Sequence, residues 1–459
     1  MSDGSTRSAA PNGEVKEPQV QVRFITKLEE RLRVTEAPIE LPTRLTRAGL
    51  SEVINHLLGN TSPRPFDFLL NNELLRGSLA KGLVRYGISG ESVVTLEYIE
   101  CIPPPQPECM HAHKDWIAAL AAHPSGGKLL LSACYDHAAY VWGSSGDQAA
   151  ALVGHTGPVK GVAWLANDNS SGSLRAATAS KDHTVRTWRL TPTSSAGGSA
   201  MSATCEAVLA GHDNSVEALV ANPSGDQLLS GAWNGTIHLW SLSDVSAAVS
   251  AASASNAEVV ASKAPSSKRA KSSRRGNDDE AAPTALPPVE IASAQTLSGH
   301  TGCVSSLCWP TVGLVYSGSW DGTIREWQLD VGSPSATLAG QAAIIALDIS
   351  LTSKLIASGH TDHALRVWDA RLQQAAMQFS VPHKGWVSAV RWCPEQAHLI
   401  ATSSYDGRVQ LWDIRSTIPV HEITKHEGKA LCLTWDGGER LGSGGEDGEL
   451  RVASVTMPG

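Results

Sequence analysis

Three kinds of side chain in this sequence, histidine, serine or threonine, and aspartate, recur in the combination that a serine hydrolase uses for nucleophilic attack. A hydrolase needs one such set, but this chain contains similar sets at a regular spacing, which is typical of a repeat architecture. The sequence also contains no nucleophile elbow, Walker loop or metal-spaced histidine pair. We therefore predict a structural role for these side chains and expect that the protein is not an enzyme.

Each repeat is marked by a tryptophan that follows a turn residue. Six tryptophans lie six residues after an Asp or Asn: Asp136 to Trp142, Asp182 to Trp188, Asn234 to Trp240, Asp321 to Trp327, Asp362 to Trp368 and Asp406 to Trp412. In a seventh copy, Asp447 reaches Ala453 instead. A hydroxyl side chain lies four residues before each turn residue: Ser132, Thr178, Ser230, Ser317, Ser358, Thr402 and Ser443. Most copies also have a histidine further upstream, whereas the fifth has Gln341: His113, His155, His212, His300, His383 and His426.

These copies resemble the WD-repeat family, whose characteristic dipeptide is present as Trp368-Asp369 and Trp412-Asp413. The resemblance implies a mostly β fold, a seven-bladed β-propeller. It also implies that the His, hydroxyl, Asp and Trp of each blade form a buried relay, because a polar set inside a blade costs free energy unless its members bond one another. Two copies supply the relay residues His155, Thr178, Asp182 and Trp188, and His300, Ser317, Asp321 and Trp327.

The repeats place the propeller at residues 113–456. The 87 residues from Trp240 to Trp327 exceed the other spacings because residues 244–292, rich in Ala, Ser, Pro and charge, form a disordered insertion between blades three and four. The chain ends six residues after Ala453, so blade seven has no room for its own outer strand. We expect residues 100–112 to be a linker and closing strand that completes this blade and removes an exposed sheet edge.

Bulk composition excludes several classes of protein. No stretch of the 459 residues approaches 18 consecutive apolar residues, and the first residues lack the apolar core of a signal peptide, so we expect a soluble intracellular protein. The eight cysteines are scattered singly, which favours reduced thiols over a disulfide framework or a zinc site. A formal net charge of -8 argues against a surface that binds nucleic acid as a whole.

The amino-terminal part has a different pattern. Residues 1–17 are predicted to be a disordered tail. Strands are predicted at Gln19–Ile25 and Leu32–Val34, a helix at Leu45–Leu58, and strands again at Phe66–Leu70 and Val93–Ile99. This order is that of a ubiquitin-like β-grasp (α+β) domain at residues 18–99. The block also resembles the Notchless-like amino-terminal domain, through the residues at 49–58, 65–69 and 73–76.

A Notchless-like domain followed by a propeller resembles the family of WD-repeat subunits of the PeBoW complex over residues 19–456. The resemblance implies a nucleolar and nucleoplasmic scaffold for maturation of the large ribosomal subunit. It implies that the propeller docks on the block-of-proliferation protein, in an assembly with pescadillo on the pre-60S particle. It further implies that midasin, a giant AAA ATPase, grips the amino-terminal domain.

Midasin holds its ligands through a divalent cation that lacks one oxygen ligand, and a carboxylate suits a hard cation such as Mg²⁺. In the family this acid lies in the loop before the last strand, and the matching residue is Glu91. The chain is expected to need no cofactor of its own. Without the resemblance, Glu91 is read as a solvated loop acid, because exposure is the usual state of glutamate.

For the propeller, the turn residues just before the repeated Asp should surround one mouth of the ring, and four of these seven are aromatic. Two further tryptophans, each three residues after a repeat histidine, should begin inner strands near the same mouth. Large aromatic side chains on a rim favour a protein interface, although they could instead pack against the neighbouring blade. The predicted partner-binding residues are Trp116, Tyr135, Lys181, Trp233, Trp320, Trp386 and Tyr405.

The insertion contains a short basic cluster followed by Asp278-Asp-Glu. The cluster favours a nuclear localisation signal, and RNA binding and a solvated linker are the alternatives. Its residues are Lys263, Lys268, Arg269, Lys271, Arg274 and Arg275.

A propeller that recruits substrates to a ubiquitin ligase or joins a signalling complex would share every blade feature. Such a protein has no use for the β-grasp domain with Glu91, so that domain distinguishes the two functions. A propeller that binds RNA directly is disfavoured by the net charge.

Overall fold

The computed structural model describes residues 18–60, 62–125, 129–143, 146–168, 173–193, 200–251, 288–369, 371 and 377–457. The predicted tail at 1–17 lies outside these residues. The chain divides into two compact units, Met1–Pro103 together with Met457–Gly459, and Pro104–Thr456. No helix among the described residues is long and apolar enough to cross a membrane.

The first unit is built on one five-stranded sheet. Its elements are β1 (Gln19–Ile25), a 3-10 helix (Glu30–Leu32), β2 (Ile39–Pro42), α1 (Arg47–Leu58), β3 (Phe66–Leu70), β4 (Glu73–Leu74), α2 (Leu79–Tyr86) and β5 (Val94–Glu100). The strand order is β2-β1-β5-β3-β4, and β1 runs parallel to β5. Alternation in β1 turns Val20, Val22 and Phe24 into the core, where Leu50 and Ile54 of α1 cover them. The arrangement is that of a β-grasp domain.

Two sequence predictions for this unit need correction. Leu32–Val34 is not a strand, because Leu32 ends the 3-10 helix and the second strand is Ile39–Pro42. Helix α2 was not predicted, although Leu79 and Leu83 are buried at helical spacing and the Ser78 side chain caps the first turn by accepting from the Lys81 N–H. The signal was short, because α2 has only eight residues.

The second unit contains seven sheets among the described residues, which confirms the propeller prediction. The unit begins with β6 (Gln106–Ala112). Blade one consists of β7 (Ile117–Ala122), β8 (Leu130–Cys134), β9 (Ala138–Trp142) and β10 (Gln148–Val153). Blade two has β11 (Val159–Asp168), β12 (Ser173–Ser180), β13 (Thr184–Pro192) and β14 (Met201–Ala210). Blade three has β15 (Val216–Ala221), β16 (Gln227–Ala232), β17 (Ile237–Ser241) and, after β18 (Val289–Ile291), β19 (Gln295–Leu297).

The strands of the remaining blades follow one another without an insertion as long as the one between β17 and β18. Blade four consists of β20 (Val304–Thr311), β21 (Leu314–Ser319), β22 (Thr323–Gln328) and β23 (Ser333–Ala339). Blade five has β24 (Ile344–Ile349), β25 (Leu355–His360), β26 (Ala364–Asp369) and β27 (Met377–Pro382). Blade six has β28 (Val387–Trp392), β29 (Leu399–Ser404), β30 (Arg408–Asp413) and β31 (His421–Lys425). Blade seven has β32 (Ala430–Asp436), β33 (Arg440–Gly445) and β34 (Glu449–Ser454).

The ring closes through β6, which is the outer strand of blade seven. It pairs antiparallel with β34 from Glu449 opposite Ala112 to Ser454 opposite Gln106. An ion pair of 2.6 Å between Arg440 Nε and Glu108 Oε2 ties the strand to the same blade. The segment that precedes blade one therefore completes blade seven, and the strand lies within the segment 100–112 that was expected to close the ring.

The predicted disordered insertion at 244–292 needs correction at both ends. Residues 242–251 form a helix that buries Leu242 and Val245, with Val249 packed against the same cluster. The three apolar residues recur at helical spacing, which a composition rich in Ala and Ser concealed. Strand β18 then pairs parallel with β14 as a fifth strand of blade two. Residues 252–287 lie outside the described residues.

Candidate functional site

The repeated histidine, hydroxyl and aspartate lie inside the blades. In blade two the Trp188 indole donates to Thr178 Oγ1 at 2.8 Å, and Thr178 bonds His155 Nε2 at 2.7 Å. His155 Nδ1 lies 2.8 Å from Asp182 Oδ2. Blade four repeats the arrangement with Trp327, Ser317, His300 and Asp321. Because Thr178 and Ser317 are fully buried, neither hydroxyl can reach a substrate, and the sets act as structural relays.

The relay aspartates are held in their charged form. Burial raises the pKa of Asp321, but hydrogen bonds from Thr323 and His300 outweigh burial and lower it to about 2. The pKa of Asp182 is likewise below its usual value, because His155 and Thr184 outweigh burial. Each carboxylate also accepts the backbone N–H of the residue after the histidine, Thr156 or Thr301. The relay therefore bonds the loop that contains the histidine to the turn that contains the aspartate, between the second and third strands of the same blade.

The relay is incomplete in five blades, which corrects the implication that every blade contains it. In blade one, Asp136 accepts the Tyr140 hydroxyl at 2.5 Å, and His113 bonds only Ser132 among the relay residues. In blade three, Asn234 replaces the aspartate, and His212 stacks on His238 at 4.0 Å between ring centroids.

Blades five and six lose the same link in another way. In blade five the missing histidine is supplied from within β25, where His360 Nε2 bonds Ser358 at 2.8 Å. Asp362 pairs with Arg366 instead. In blade six, His383 bonds Thr402, while Asp406 lies near Arg408. Blade seven keeps the link between His426 and Asp447, although Ala453 takes the place of the tryptophan.

The predicted rim residues meet at one mouth of the ring. A cavity of about 200 Å³ is lined there by Trp116, Tyr135, Trp233, Trp320 and Tyr405. The aromatic rings form three pairs, with centroid distances of 5.4 Å for Trp116–Tyr135, 4.9 Å for Trp233–Trp320 and 5.3 Å for Trp386–Tyr405. Trp233, Trp320 and Trp386 expose 45%, 43% and 39% of their surface. The mouth thus presents large aromatic side chains, which are favoured anchors in protein interfaces.

Positive charge lies on part of this aromatic surface. The Lys181 ammonium is 5.5 Å from the Tyr135 ring centroid. Two further lysines were not predicted: Lys160 is 5.1 Å from the same ring, and Lys429 lies 5.4 Å from Trp116 and 5.5 Å from Tyr405. Lys429 occupies the same repeat position as Trp116 and Trp386, three residues after a histidine. This shared position could have predicted that Lys429 lies at the mouth.

Lys160 is fixed by its neighbours rather than free. Its ammonium lies 3.3 Å from Glu217 Oε2 and donates to the Tyr135 hydroxyl at 2.9 Å. Burial lowers the pKa of Lys160, but Glu217 and Tyr135 outweigh burial and raise it above the usual value, so the group stays charged. Lys429 is paired with Glu446 at 3.4 Å.

Glu91 lies in the loop between α2 and β5. The helix ends at Gly87, which adopts the left-handed conformation (φ 61°), and Ile88 packs against the domain core. A turn follows in which the Ser92 N–H and hydroxyl both bond the Ser89 carbonyl, and the Glu91 N–H bonds the Ser89 hydroxyl. The Glu91 side chain is exposed, and no hydrogen bond or ion pair to its carboxylate occurs among the described residues.

The described part of the chain contains no group of three or more His, Cys, Asp or Glu side chains placed to hold a metal ion. A lone carboxylate such as Glu91 could only complete the coordination of an ion that another molecule holds. The predicted localisation residues, Lys263 to Arg275, lie outside the described residues.

Comparison with protein-family models gives two matches. The NLE (NUC135) domain matches residues 20–83. The WD domain, G-beta repeat, matches residues 106–143, 146–189, 203–241, 292–328, 332–369 and 377–413. The seventh blade, which lacks the repeat tryptophan, is not among the matched segments.

The chain is similar over nearly its full length to curated proteins described as "Ribosome biogenesis protein WDR12 homolog". The relative from Arabidopsis thaliana is 35% identical over 451 residues, covering 96% of this chain and 98% of the relative. The relative from Chlamydomonas reinhardtii is 35% identical over 95% of this chain and 98% of its own length. A third, from Nematostella vectensis, is 32% identical over 94% of this chain.

Proposed function

The chain belongs to the WDR12 family of ribosome biogenesis proteins, and from that premise we propose that it is a non-enzymatic scaffold for maturation of large-subunit rRNA and the pre-60S particle. Its propeller docks on the block-of-proliferation protein, in a PeBoW assembly with pescadillo. Its amino-terminal domain is presented to midasin, which removes the protein from the particle. The observation that carries the proposal is the separation of two exposed features, an aromatic mouth and a free loop carboxylate, on two compact units.

Docking through the propeller is supported by the state of the rim aromatics. Three tryptophans remain about 40% exposed although each touches another ring. A tryptophan that served only to pack neighbouring blades would be covered, as Trp327 and Trp240 are at 1% exposure. Burial of such rings by a partner removes apolar area from water and stabilises the complex by about 25 cal/mol per Å² before the costs of association.

Presentation to midasin is supported by the geometry around Glu91. The turn from Ser89 to Ser92 fixes the backbone of the acid, while its carboxylate has no competing partner among the described residues. Three acids on the sheet of the domain are already paired, Glu73 with Arg85, Glu97 with Lys27 and Glu100 with Arg64, whereas Glu91 is held at a loop tip. When the two proteins meet, a Mg²⁺ ion held by midasin would accept the Glu91 carboxylate as an oxygen ligand.

The site of action follows from the same assignment. A large-subunit assembly factor works in the nucleolus and nucleoplasm, and the basic residues 263–275 would serve as the import signal. Direct contact with RNA is not part of the proposal, because the net charge of -8 disfavours broad phosphate binding.

The proposal is tested by affinity purification of the tagged chain from nuclear extract. The wild-type chain should retain the block-of-proliferation protein, pescadillo, midasin and large-subunit precursor RNA. Glu91→Gln should lose midasin alone, because the neutral amide is a poorer ligand for a hard cation. Glu52→Gln, which changes an exposed acid on α1, is the matched control and should behave as wild type.

Three results would contradict the proposal. Absence of the block-of-proliferation protein from the wild-type sample would remove the docking function. Retention of midasin by Glu91→Gln, in a pull-down that depends on Mg²⁺, would exclude Glu91 as the ligand. Enrichment of ubiquitin-ligase subunits in place of ribosomal precursors would favour the adaptor function instead.

A further inference from the structure

The aromatic mouth is divided into two sectors by charge. The lysine sector contains Tyr135, Trp116 and Tyr405, and an ammonium group of Lys160, Lys181 or Lys429 lies within 5.5 Å of each ring centroid. The open sector consists of Trp233 and Trp320. Among the described residues, no lysine or arginine makes such a contact with either ring of the open sector. The rings there contact each other at 4.9 Å with an interplanar angle of 61°.

The sequence around the open sector explains why it has no internal cation. The loop and turn segments of blades three and four at this mouth are residues 212–216, 232–236, 300–304 and 319–323, and none of them contains lysine or arginine. The corresponding segments of blades one, two, six and seven supply Lys114, Lys181, Lys384, Arg408 and Lys429, whereas those of blade five supply none. The difference in charge is therefore built into the repeats themselves.

A free carboxylate lies on the loop that adjoins the open sector. Asp213 is exposed, and no ion pair or hydrogen bond to its carboxylate occurs in the described part of the chain. It precedes Ser215 by two residues, and the Ser215 carbonyl accepts the Trp233 backbone N–H at 2.9 Å. Asp213 thus belongs to the loop that is bonded directly to the Trp233 turn.

The chemistry of the two sectors selects different partner groups. The face of a tryptophan ring carries negative potential and attracts a cation, most strongly among the aromatic residues. In the lysine sector this attraction is already used by the chain's own ammonium groups. In the open sector no ammonium group of the chain occupies the exposed ring surface, and the nearby Asp213 loop carries an unpaired carboxylate that adds to the attraction. A planar guanidinium suits this site better than an ammonium, since it stacks on aromatic faces and can bond a carboxylate with two N–H groups.

We propose that the Trp233–Trp320 pair, together with Asp213, is the binding site for an arginine side chain of a protein that docks on this mouth. The inference rests on the proposed function only for the identity of that protein. The guanidinium binds against the indole faces, and Asp213 balances its charge at the edge of the site. The ring faces of the lysine sector are already occupied by the chain's own ammonium groups, so the arginine binds only in the open sector and also sets the rotational position of the partner on the ring.

The site is tested first without any protein partner. The full-length chain, labelled with ¹⁵N, is titrated with N-acetyl-arginine amide and, in parallel, with N-acetyl-citrulline amide, which has nearly the same shape but no charge. The indole N–H signals of Trp233, Trp320 and Trp386 are assigned with single Trp→Phe variants. We expect the signals of Trp233 and Trp320 to shift with the arginine compound, at millimolar concentration, while the Trp386 signal stays in place.

The charge requirement has its own control. Asp213→Asn should reduce the shifts at equal ligand concentration, and added salt should reduce them further. Equal shifts with arginine and citrulline would show that the pair takes any planar group, which overturns the proposal. Absence of shifts at Trp233 and Trp320 with the arginine compound would overturn it as well.

The second test uses the purified block-of-proliferation protein and calorimetric measurement of Kd. Trp233→Leu with Trp320→Leu keeps apolar bulk but removes the ring faces, and should weaken binding about tenfold. Trp233→Phe with Trp320→Phe should weaken it less, because phenylalanine keeps a weaker ring face. Val312→Ala is the control and should bind as the wild-type chain does, because Val312 is exposed in the turn between β20 and β21 and does not line the mouth.

The two tests separate the site from the identity of the partner. If the wild-type chain does not bind the block-of-proliferation protein, the proposed function fails, while the titration still decides whether the site takes arginine. If the wild-type chain binds and the double leucine variant binds equally well, the arginine site is wrong and the docking function stands.

Discussion

Blades two and three of the propeller share one repeat pattern but differ in how its polar side chains are bonded. In blade two, Asp182 accepts from His155, the Thr156 N–H and Thr184, so the histidine loop, the turn and the inner strands are joined. In blade three, Asn234 bonds only Thr236 among the described residues, while His212 bonds Ser230 and lies against the His238 ring. The two arrangements differ in the change from carboxylate to amide and in His238, which takes the repeat position of Arg186.

The difference shows that a blade can fold within the ring without the link between its histidine and its aspartate. The hydroxyl and tryptophan bond persists in blades one to six, with indole to hydroxyl distances of 2.7–2.9 Å. The link from histidine to aspartate occurs only in blades two, four and seven among the described residues. A blade therefore needs its inner hydroxyl and indole more consistently than it needs the carboxylate.

The largest expected effect is a loss of stability in acid, caused by the buried histidines of the blades that lack the link to aspartate. Burial lowers the pKa of His212 to about 3 and those of His113, His360 and His383 to about 4, from 6.5 in the unfolded chain. The folded state then binds fewer protons, so the stability these groups contribute is complete above pH 6.5 and is lost as the pH falls toward 4. We expect the free energy of unfolding to fall by about 1–2 kcal/mol per histidine between pH 7 and pH 5.

Urea denaturation at several pH values measures this loss, with tryptophan fluorescence as the signal. All 14 tryptophans lie between residues 116 and 435, so the signal reports on the propeller alone. A stability that stays constant from pH 7 to pH 5 would contradict the buried, neutral state of these histidines.

The next largest effect should come from removing one relay carboxylate. Asp182→Ala leaves the buried His155 and the Thr156 N–H without an acceptor and should destabilise the propeller by about 3 kcal/mol. The matched change in blade three, Asn234→Ala, removes only bonds within a turn and should cost about 1 kcal/mol. Equal shifts of the urea midpoint for the two variants would show that the relay link contributes nothing beyond the turn.

Blade five offers a smaller test, because its histidine comes from an unexpected position. His360→Ala should cost about 2 kcal/mol, since it removes a buried ring and the bond to Ser358. Gln341→Ala changes the residue that occupies the usual histidine position, and its exposed side chain should make the effect negligible. A larger loss of stability for Gln341→Ala than for His360→Ala would show that His360 does not replace the missing repeat histidine.

The smallest effect should be a gain in stability. Asn234→Asp gives His212 the carboxylate that blade two has, and should stabilise the propeller by about 1 kcal/mol at pH 7. The new charge should also raise the pKa of His212, so part of the acid sensitivity should disappear. NMR titration of the His212 ring checks the second expectation, and an unchanged midpoint in both measurements would show that His238 blocks the new link.

The sequence by itself determined the repeat count, the use of β6 as a closing strand and which aromatic side chains lie at the mouth, whereas their role in binding stays a prediction. These features follow from spacing, because a blade has a fixed number of strands and each strand reverses the direction of the chain. It also singled out Glu91, although only through a family resemblance. It missed α2 and the helix at 242–251, where the periodic apolar signal was too short to separate from a loop.

Only the tertiary structure decided which polar groups meet. Asp136 and Asp362 have the same repeat position as Asp182, yet the first accepts from Tyr140 and the second pairs with Arg366. The choice depends on which donor reaches the carboxylate at under 3 Å, a distance that residue spacing does not encode. In the same way, the lysines on the aromatic faces come from blade two, Lys160 and Lys181, and from blade seven, Lys429, and only the packing of these blades beside blade one brings them onto Tyr135 and Trp116.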